Sequence, residues 1–266
     1  MVFMSCGGGD KKNVTEPDPP RAASISVSPA SVSMSYVGQV VGVSAAVLDQ
    51  FQRTFNATVS WSIDDPSIAT VSAIGLVTAV ADGVTAVRAT SGSLSASVPV
   101  TVQRVATRVS IVSGDRQTGQ VGEVLAEPLV VRAEDLGGSP MPGASVTFTS
   151  GVGGSVSVAE TTADEQALAS TMWTLGTTSG PQLLAAAITG STVASVQFQA
   201  TALAGPVAAM AKASGDQQVV PVGFPVFEPI TIQVTDEYGN GVSGASVAFA
   251  VTDGGGSVTP AEGTTG

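Results

Sequence analysis

Ala96-Ser97-Val98-Pro99-Val100-Thr101-Val102 puts an apolar side chain at every second position. A period of two is that of an extended strand with one face buried and the other wet. Pro99 has no amide proton for a neighbouring strand, so this strand is expected at a sheet edge or with that amide position turned outward. Upstream, shorter runs rich in Val, Ile, Thr and Ala predict strands at 25–28, 40–48, 58–63, 76–80 and 85–90. Turn signals fall between them at Val37-Gly38, Asp64-Asp65-Pro66-Ser67, Ile74-Gly75 and Asp82-Gly83. Short strands punctuated about every ten residues predict a β-sandwich.

Composition extends this reading to the whole chain of 266 residues. The hydrophobic fraction is 43%, drawn mostly from Val and Ala, and only 12% of residues are charged. β-Branched residues with frequent Gly and Pro favour strands and turns over helices. No run reaches the roughly 18 apolar residues of a membrane-spanning helix. The net charge of −11, with lysine only at Lys11, Lys12 and Lys212, argues against nucleic acid as a partner, because phosphate binding needs clustered Lys and Arg.

Beyond residue 103 the sequence repeats itself. Ser113-Gly114-Asp115 returns as Ser214-Gly215-Asp216, Val121-Gly122 as Val222-Gly223, Glu127-Pro128 as Glu228-Pro229 and Asp135 as Asp236. Gly143-Ala144-Ser145-Val146 matches Gly244-Ala245-Ser246-Val247, and Phe148 matches Phe249. After one inserted residue, Gly153-Gly154-Ser155-Val156 matches Gly255-Gly256-Ser257-Val258. A period of about one hundred residues is too long for a solenoid and fits a small domain. Ala194, Val196, Phe198 and Ala200 alternate with polar residues and predict the closing strand of the earlier copy. The later copy stops near the counterpart of Asp164, so it is expected to be incomplete and unstable alone, with the natural protein continuing.

These residues carry a family resemblance. Ser28-Pro29, Val37-Gly38-Gln39, Trp61, Asp65-Pro66-Ser67-Ile68-Ala69-Thr70-Val71-Ser72, Gly75-Leu76-Val77-Thr78-Ala79 and Gly83 resemble the group 2 bacterial Ig-like domain. Gly114-Asp115 with Gln117, Val121-Gly122, Asp135, Gly143, Gly153-Gly154-Ser155 and Trp173-Thr174-Leu175-Gly176 are similar to the group 1 domains of intimin and invasin proteins. Asp236-Glu237-Tyr238-Gly239-Asn240 is the more typical form of a turn that Asp135-Leu136-Gly137-Gly138-Ser139 departs from. The resemblance implies an all-β chain of tandem immunoglobulin-like sandwiches, two complete and a third truncated, after a disordered tether. The expected divisions are 1–21, 22–103, 104–203 and 204–266. Trp61, at the centre of its sandwich, together with Trp173, Phe148, Phe198 and Phe249, is the expected structural core.

The single cysteine, Cys6, lies between Val2-Phe3-Met4-Ser5 and Gly7-Gly8-Gly9, and this stretch looks like a bacterial lipoprotein cleavage box. Acyl chains on Cys6 would anchor the chain to a membrane, since each buried methylene contributes roughly 0.8 kcal/mol. A signal segment upstream of Met1 is expected, as from a start placed too late or a trimmed sequence. Residues 7–21, with three glycines and Pro17, Pro19 and Pro20, read as a tether. One cysteine permits no internal disulfide, so the modules must rely on their cores.

Chemistry is sparse. The chain has no histidine, no CxxC, no GxSxG, no P-loop, and no SxxK partner for Lys212. No catalytic residue and no metal set is predicted. Calcium could bind at module joints through Asp64, Asp65 and Asp82 or through Glu134, Asp135 and Asp164, but no recognised calcium-loop spacing occurs and solvated surface acids are favoured. Trp61 and Trp173 could stack on sugars, yet their strand patterns favour core packing. The expected role is a non-catalytic stalk or adhesion module, exported and lipid-anchored at the outer membrane or cell surface. Its partners would be the membrane and a host protein, cell-surface protein or polysaccharide. The alternatives are the spacer of an enzyme whose catalytic domain lies beyond Gly266, or a polysaccharide-binding module.

Overall fold

The computed structural model describes residues 18–151, 153–192 and 195–266. Cys6, the tether through residue 17, and Ala194 of the expected closing strand lie outside them. The fold is all-β, built of tandem immunoglobulin-like sandwiches. Among the described residues no helix is long and apolar enough to cross a membrane. The chain divides between Arg104 and Val105 into two compact units.

The first unit holds β1 (Ala22–Ser28), β2 (Val32–Met34), β3 (Val40–Gly42), β4 (Ser44–Asp49), β5 (Ser60–Ile63), β6 (Ala69–Val71), β7 (Leu76–Ala79), β8 (Gly83–Ser91) and β9 (Leu94–Val102). One layer is ordered β2-β9-β8-β5, with β2 parallel to β9 and the other pairs antiparallel. The run expected as one strand over 40–48 is interrupted at Val43, whose N–H donates 2.8 Å to the Gly75 carbonyl. It therefore serves two partners, β3 pairing with β7 and β4 with β1. The second layer thus runs β1, β4/β3, β7, β6, the four-strand order of an immunoglobulin constant-type sheet. Strands β2 and β6 were not expected, because three residues are too few to show a period.

Valine and alanine fill the space between these layers. Val87, Val98, Val100 and Val102 face Ala69, Val77 and Ala79, all essentially inaccessible. Trp61 does not occupy the centre expected for it; it is half-buried and packs on the cluster from outside the buried set. Its indole lies beside Gly75, where an added Cβ would come 3.2 Å from the ring and 2.3 Å from the Val43 carbonyl oxygen. Gly75 also has φ +81°, so this turn needs glycine for both conformation and space. Pro99 pairs with Ala86 of β8, while β2 begins to pair only at Val100. The proline therefore sits where β9 has a ladder partner on one side, although the strand is internal from Val100 onward.

The second unit starts with a complete sandwich: β10 (Arg108–Ser113), β11 (Gln117–Gln120), β12 (Leu129–Glu134), β13 (Ser145–Ser150), β14 (Ser155–Val156), β15 (Glu160–Thr162), β16 (Leu168–Thr171), β17 (Trp173–Thr174), β18 (Gly180–Ile188) and β19 (Val196–Leu203). Layers β10-β12-β16 and β11-β19-β18-β13-β15 enclose one cluster, with a short β14-β17 ladder beside them. Larger side chains supply this core. Leu129 and Val131 of β12 and Trp173 of β17 meet Phe148, Leu184 and Phe198.

The third module continues with β20 (Ala209–Ser214), β21 (Thr231–Thr235), β22 (Ser246–Ala248) and β23 (Glu262–Thr264). It reproduces the second down to its irregularities. The β20-β21 ladder slips register between Lys212 and Ser214, as β10-β12 does between Ile111 and Ser113. Ser246, Val247 and Ala248 pair with Thr264, Gly263 and Glu262 as Ser145, Val146 and Thr147 pair with Thr162, Thr161 and Glu160. The repeated side chains nevertheless differ in burial. Val121 is 4% exposed and its repeat Val222 102%; Leu129 is 0% exposed and Ile230 50%. In the second module Leu129 pairs with Thr171 of β16 and the Val121 N–H donates to the Leu203 carbonyl at the end of β19, whereas β23 is the last strand among the described residues.

Candidate functional site

Each sequence repeat corresponds to a built clip. Gln117 Nε2 donates to the Gly114 carbonyl at 2.8 Å and the Glu127 carbonyl at 2.9 Å, while its Oε1 accepts the Glu127 N–H at 2.9 Å. Gln218 repeats all three bonds with Gly215 and Glu228 at 2.9, 2.7 and 2.8 Å. A carboxamide carries the donor and acceptor of a peptide unit, so the glutamine substitutes for a missing strand across this loop. Gly114 and Gly215, at φ +87° and +80°, lie beneath the clip. An added Cβ would stand 2.3 Å from the carbonyl oxygen of Pro128 or Pro229. Closing this loop accounts for the repeated Gly-Asp-x-Gln and Glu-Pro.

A second device occurs in all three modules, at Asp49, Asp135 and Asp236. Each aspartate ends its strand's pairing, is buried, and caps a tight turn closed by its own N–H to the carbonyl four residues on. Asp49 Oδ1 accepts the Phe51 and Arg53 N–H groups at 2.9 Å, Asp135 Oδ1 that of Ser139, and Asp236 Oδ1 those of Tyr238 and Asn240. An aspartate bonding to backbone two and four residues on is an Asx-type turn. Burial pushes the Asp236 carboxyl up, but bonds from the Asn240 side chain, the Gly205 N–H and the turn's own amides outweigh it and hold it at about 2. The Asp49 carboxyl is lowered in the same way, with burial opposed by the Arg53 and Phe51 amides and the Arg53 guanidinium. The repeat revealed Asp135 and Asp236, whereas Asp49 has a different sequence around it and gave no signal.

The carboxylates weighed as calcium ligands have separate partners. Asp65 caps Ser67 through its Oδ1, Asp82 binds the Arg104 backbone and guanidinium, Asp164 caps Gln166 and Leu168, and Glu134 accepts the Ser110 hydroxyl. Among the described residues no group of three or more His, Cys, Asp or Glu could hold a metal ion. Trp173 is 1% exposed and donates Nε1 to Ser150 Oγ at 3.1 Å, so it presents no face to a sugar. Phe148 and Phe198 are buried with it, and Phe249 is half-buried. An open groove bounded by Pro19, Pro20 and Phe51 contains the Arg53 guanidinium, 4.9 Å over the Phe51 ring. That cation is already paired with Asp49 at 3.1 Å.

The second and third modules meet through the Asp236 turn. Asn240 Nδ2 donates to the Thr177 carbonyl at 2.9 Å and to Asp236 Oδ2 at 2.8 Å, while Asn240 Oδ1 accepts the Ser179 N–H at 2.9 Å. The Gly205 N–H donates to Asp236 Oδ2 at 2.9 Å, so the connecting segment is fastened as well. This arrangement can hold modules in register.

Residues 21–102 match the family profile of the bacterial Ig-like domain (group 2). No curated protein matches the chain. Among solved structures, domains 5–6 of the S-layer protein SbsC are similar at 23% identity and a TM-score of 0.30, over 69% of this chain and 99% of that one. The Escherichia coli adhesin FdeC is similar at 19% identity and a TM-score of 0.40, over 89% of this chain and 82% of that one. The Yersinia pseudotuberculosis adhesin InvE is similar at 13% identity and a TM-score of 0.32; the match covers 68% of this chain and 58% of the InvE structure.

Proposed function

We propose that this chain is a non-catalytic surface protein of bacterial type, whose Ig-like modules form a stalk or adhesion segment carried by a lipid on Cys6. The observation that carries the reading is the serial construction: Ig-like modules follow one another, and the second and third are fastened by the Asp236 turn and its linker. The match of residues 21–102 to a bacterial Ig-like domain supports it. The group 1 character of 104–203 and 204–266 belongs to this proposal and is supported by the paired Gln117 and Gln218 clips. Such a chain would project whatever it carries toward a host protein, a neighbouring cell or a polysaccharide, with the glycine- and proline-containing residues 7–21 as spacer.

The test is metabolic labelling with a clickable fatty acid in bacteria expressing the reading frame from its own locus, followed by protease treatment of intact cells. Label that disappears in Cys6→Ala, on a protein that external protease digests, is the expected result. Unlabelled protein retained in the cytosol would overturn the proposal.

A further inference from the structure

We infer that the turn Asp236-Glu237-Tyr238-Gly239-Asn240 is a lock that fixes the orientation of the third module on the second, and that Gly122, Thr177 and Ser179 are the face it recognises. The partner such a face accepts is a following module that bears tyrosine and asparagine at these turn positions.

Three sets of contacts converge on the joint. The Asn240 carboxamide joins backbone to backbone, donating to Thr177 C=O and accepting from Ser179 N–H, so it docks as a peptide unit would. The connecting segment is held along its length: Val121 N–H donates to the Leu203 carbonyl at 3.0 Å, Gly205 N–H to Asp236 Oδ2, and Ala208 N–H to the Thr235 carbonyl at 2.8 Å. The Tyr238 ring lies over Gly122, where an added Cβ would be 3.1 Å from Oη and 3.6 Å from Cζ. Any larger residue at 122 would press on the ring. Asp236 links these sets, because one oxygen shapes the turn and the other accepts from both Gly205 and Asn240.

The chain supplies its own comparison. In the second module the same turn is Asp135-Leu136-Gly137-Gly138-Ser139, closed by the same bonds from Asp135 N–H to Ser139 C=O and from Ser139 N–H to Asp135 Oδ1. It has glycine where Tyr238 stands and serine where Asn240 stands. The turn itself therefore requires neither side chain. In the third module both side chains reach across the joint.

Tyr238→Gly and Asn240→Ser, singly and together, give the third module a turn sequence the chain already folds. In the full chain with Cys6→Ser, nitroxides are attached to cysteines at Thr149 and Ser246, both exposed strand positions. Pulsed dipolar spectroscopy then reads the distance between modules. The expected result is one narrow distribution for the parent and about a twofold broader one for the double variant, because modules without a specific joint move relative to one another by default. A second label pair inside the second module, at Thr149 and Thr201, should stay unchanged. A double variant as narrow as the parent, or a parent already as broad as the variant, would overturn the lock. So would equal broadening of the internal pair, since the substitutions would then be acting on the fold.

Discussion

At the scale of single residues, the buried aromatics and the turn aspartates stabilise the modules by different physics. Trp173 combines near-complete burial with a hydrogen bond to Ser150, so Trp173→Ala should cost about 3–5 kcal/mol of second-module stability. Trp173→Phe keeps most of the packing and leaves the Ser150 hydroxyl without its donor, for about 1 kcal/mol. Trp61→Ala should cost less than Trp173→Ala because the Trp61 indole is half-buried. Urea denaturation followed by far-UV circular dichroism ranks the three. For Asp236 the prediction concerns pH. Its folded value of about 2 lies below the ordinary 3.8, so the carboxylate favours the folded turn fully above about pH 4. That contribution fades as pH falls through 2. A carbon-13 carboxyl titration should place the Asp236 midpoint near 2; a midpoint near 4 would mean that the Gly205 and Asn240 bonds are not formed in solution.

At the scale of elements, repeated loops are explained by what each residue spans. Gly114 and Gly138 both have positive φ, but only Gly114 would drive a Cβ into a carbonyl oxygen. Gly138→Ala should cost about 1–2 kcal/mol, the left-handed penalty alone, and Gly114→Ala clearly more. Gln117→Ala should cost about 1–2 kcal/mol by releasing three backbone groups of the β10–β12 loops. Chemical denaturation of the full chain measures each, and equal losses for the two glycine variants would contradict the loop geometry. Strand existence was largely legible here. β9 and β19 announce themselves by period two, and β1, β5, β7 and β8 by short apolar runs between turn signals, whereas β2, β6, β14 and β17 have two or three residues and no period to read.

At the scale of the whole molecule, the second and third modules are one pattern in two surroundings. Leu125 donates its N–H to the Trp173 carbonyl and is 2% exposed; its repeat, Val226, is 46% exposed. Among the described residues, the buried hydrophobic set of the third module is Val234 alone. Local stability follows the number of buried contacts, so in a polypeptide of these 266 residues hydrogen exchange should be faster in β20 to β23 than in β12, β13 and β18. Exchange mass spectrometry on that polypeptide makes the comparison. Equal protection of β12 and β21 would show that burial does not control stability here.

Taken alone, the sequence determined the all-β character and the equivalence of Asp135 with Asp236, because period, turn residues and repetition are local or self-referential signals. It also showed that these 266 residues hold no histidine and one cysteine. Tertiary structure decided what each repeated residue touches. Trp61 and Trp173 read alike as core candidates, yet one is half-buried beside Gly75 and the other buried and hydrogen-bonded to Ser150 of β13. Val121 and Val222 are the same residue in the same motif, and their exposure is set by strands some 50 to 80 positions further along in sequence. Asn240 read as one more turn residue until Thr177 and Ser179, over sixty positions away, closed on its carboxamide. Burial and docking depend on contacts distant in sequence, and a local pattern carries no record of them.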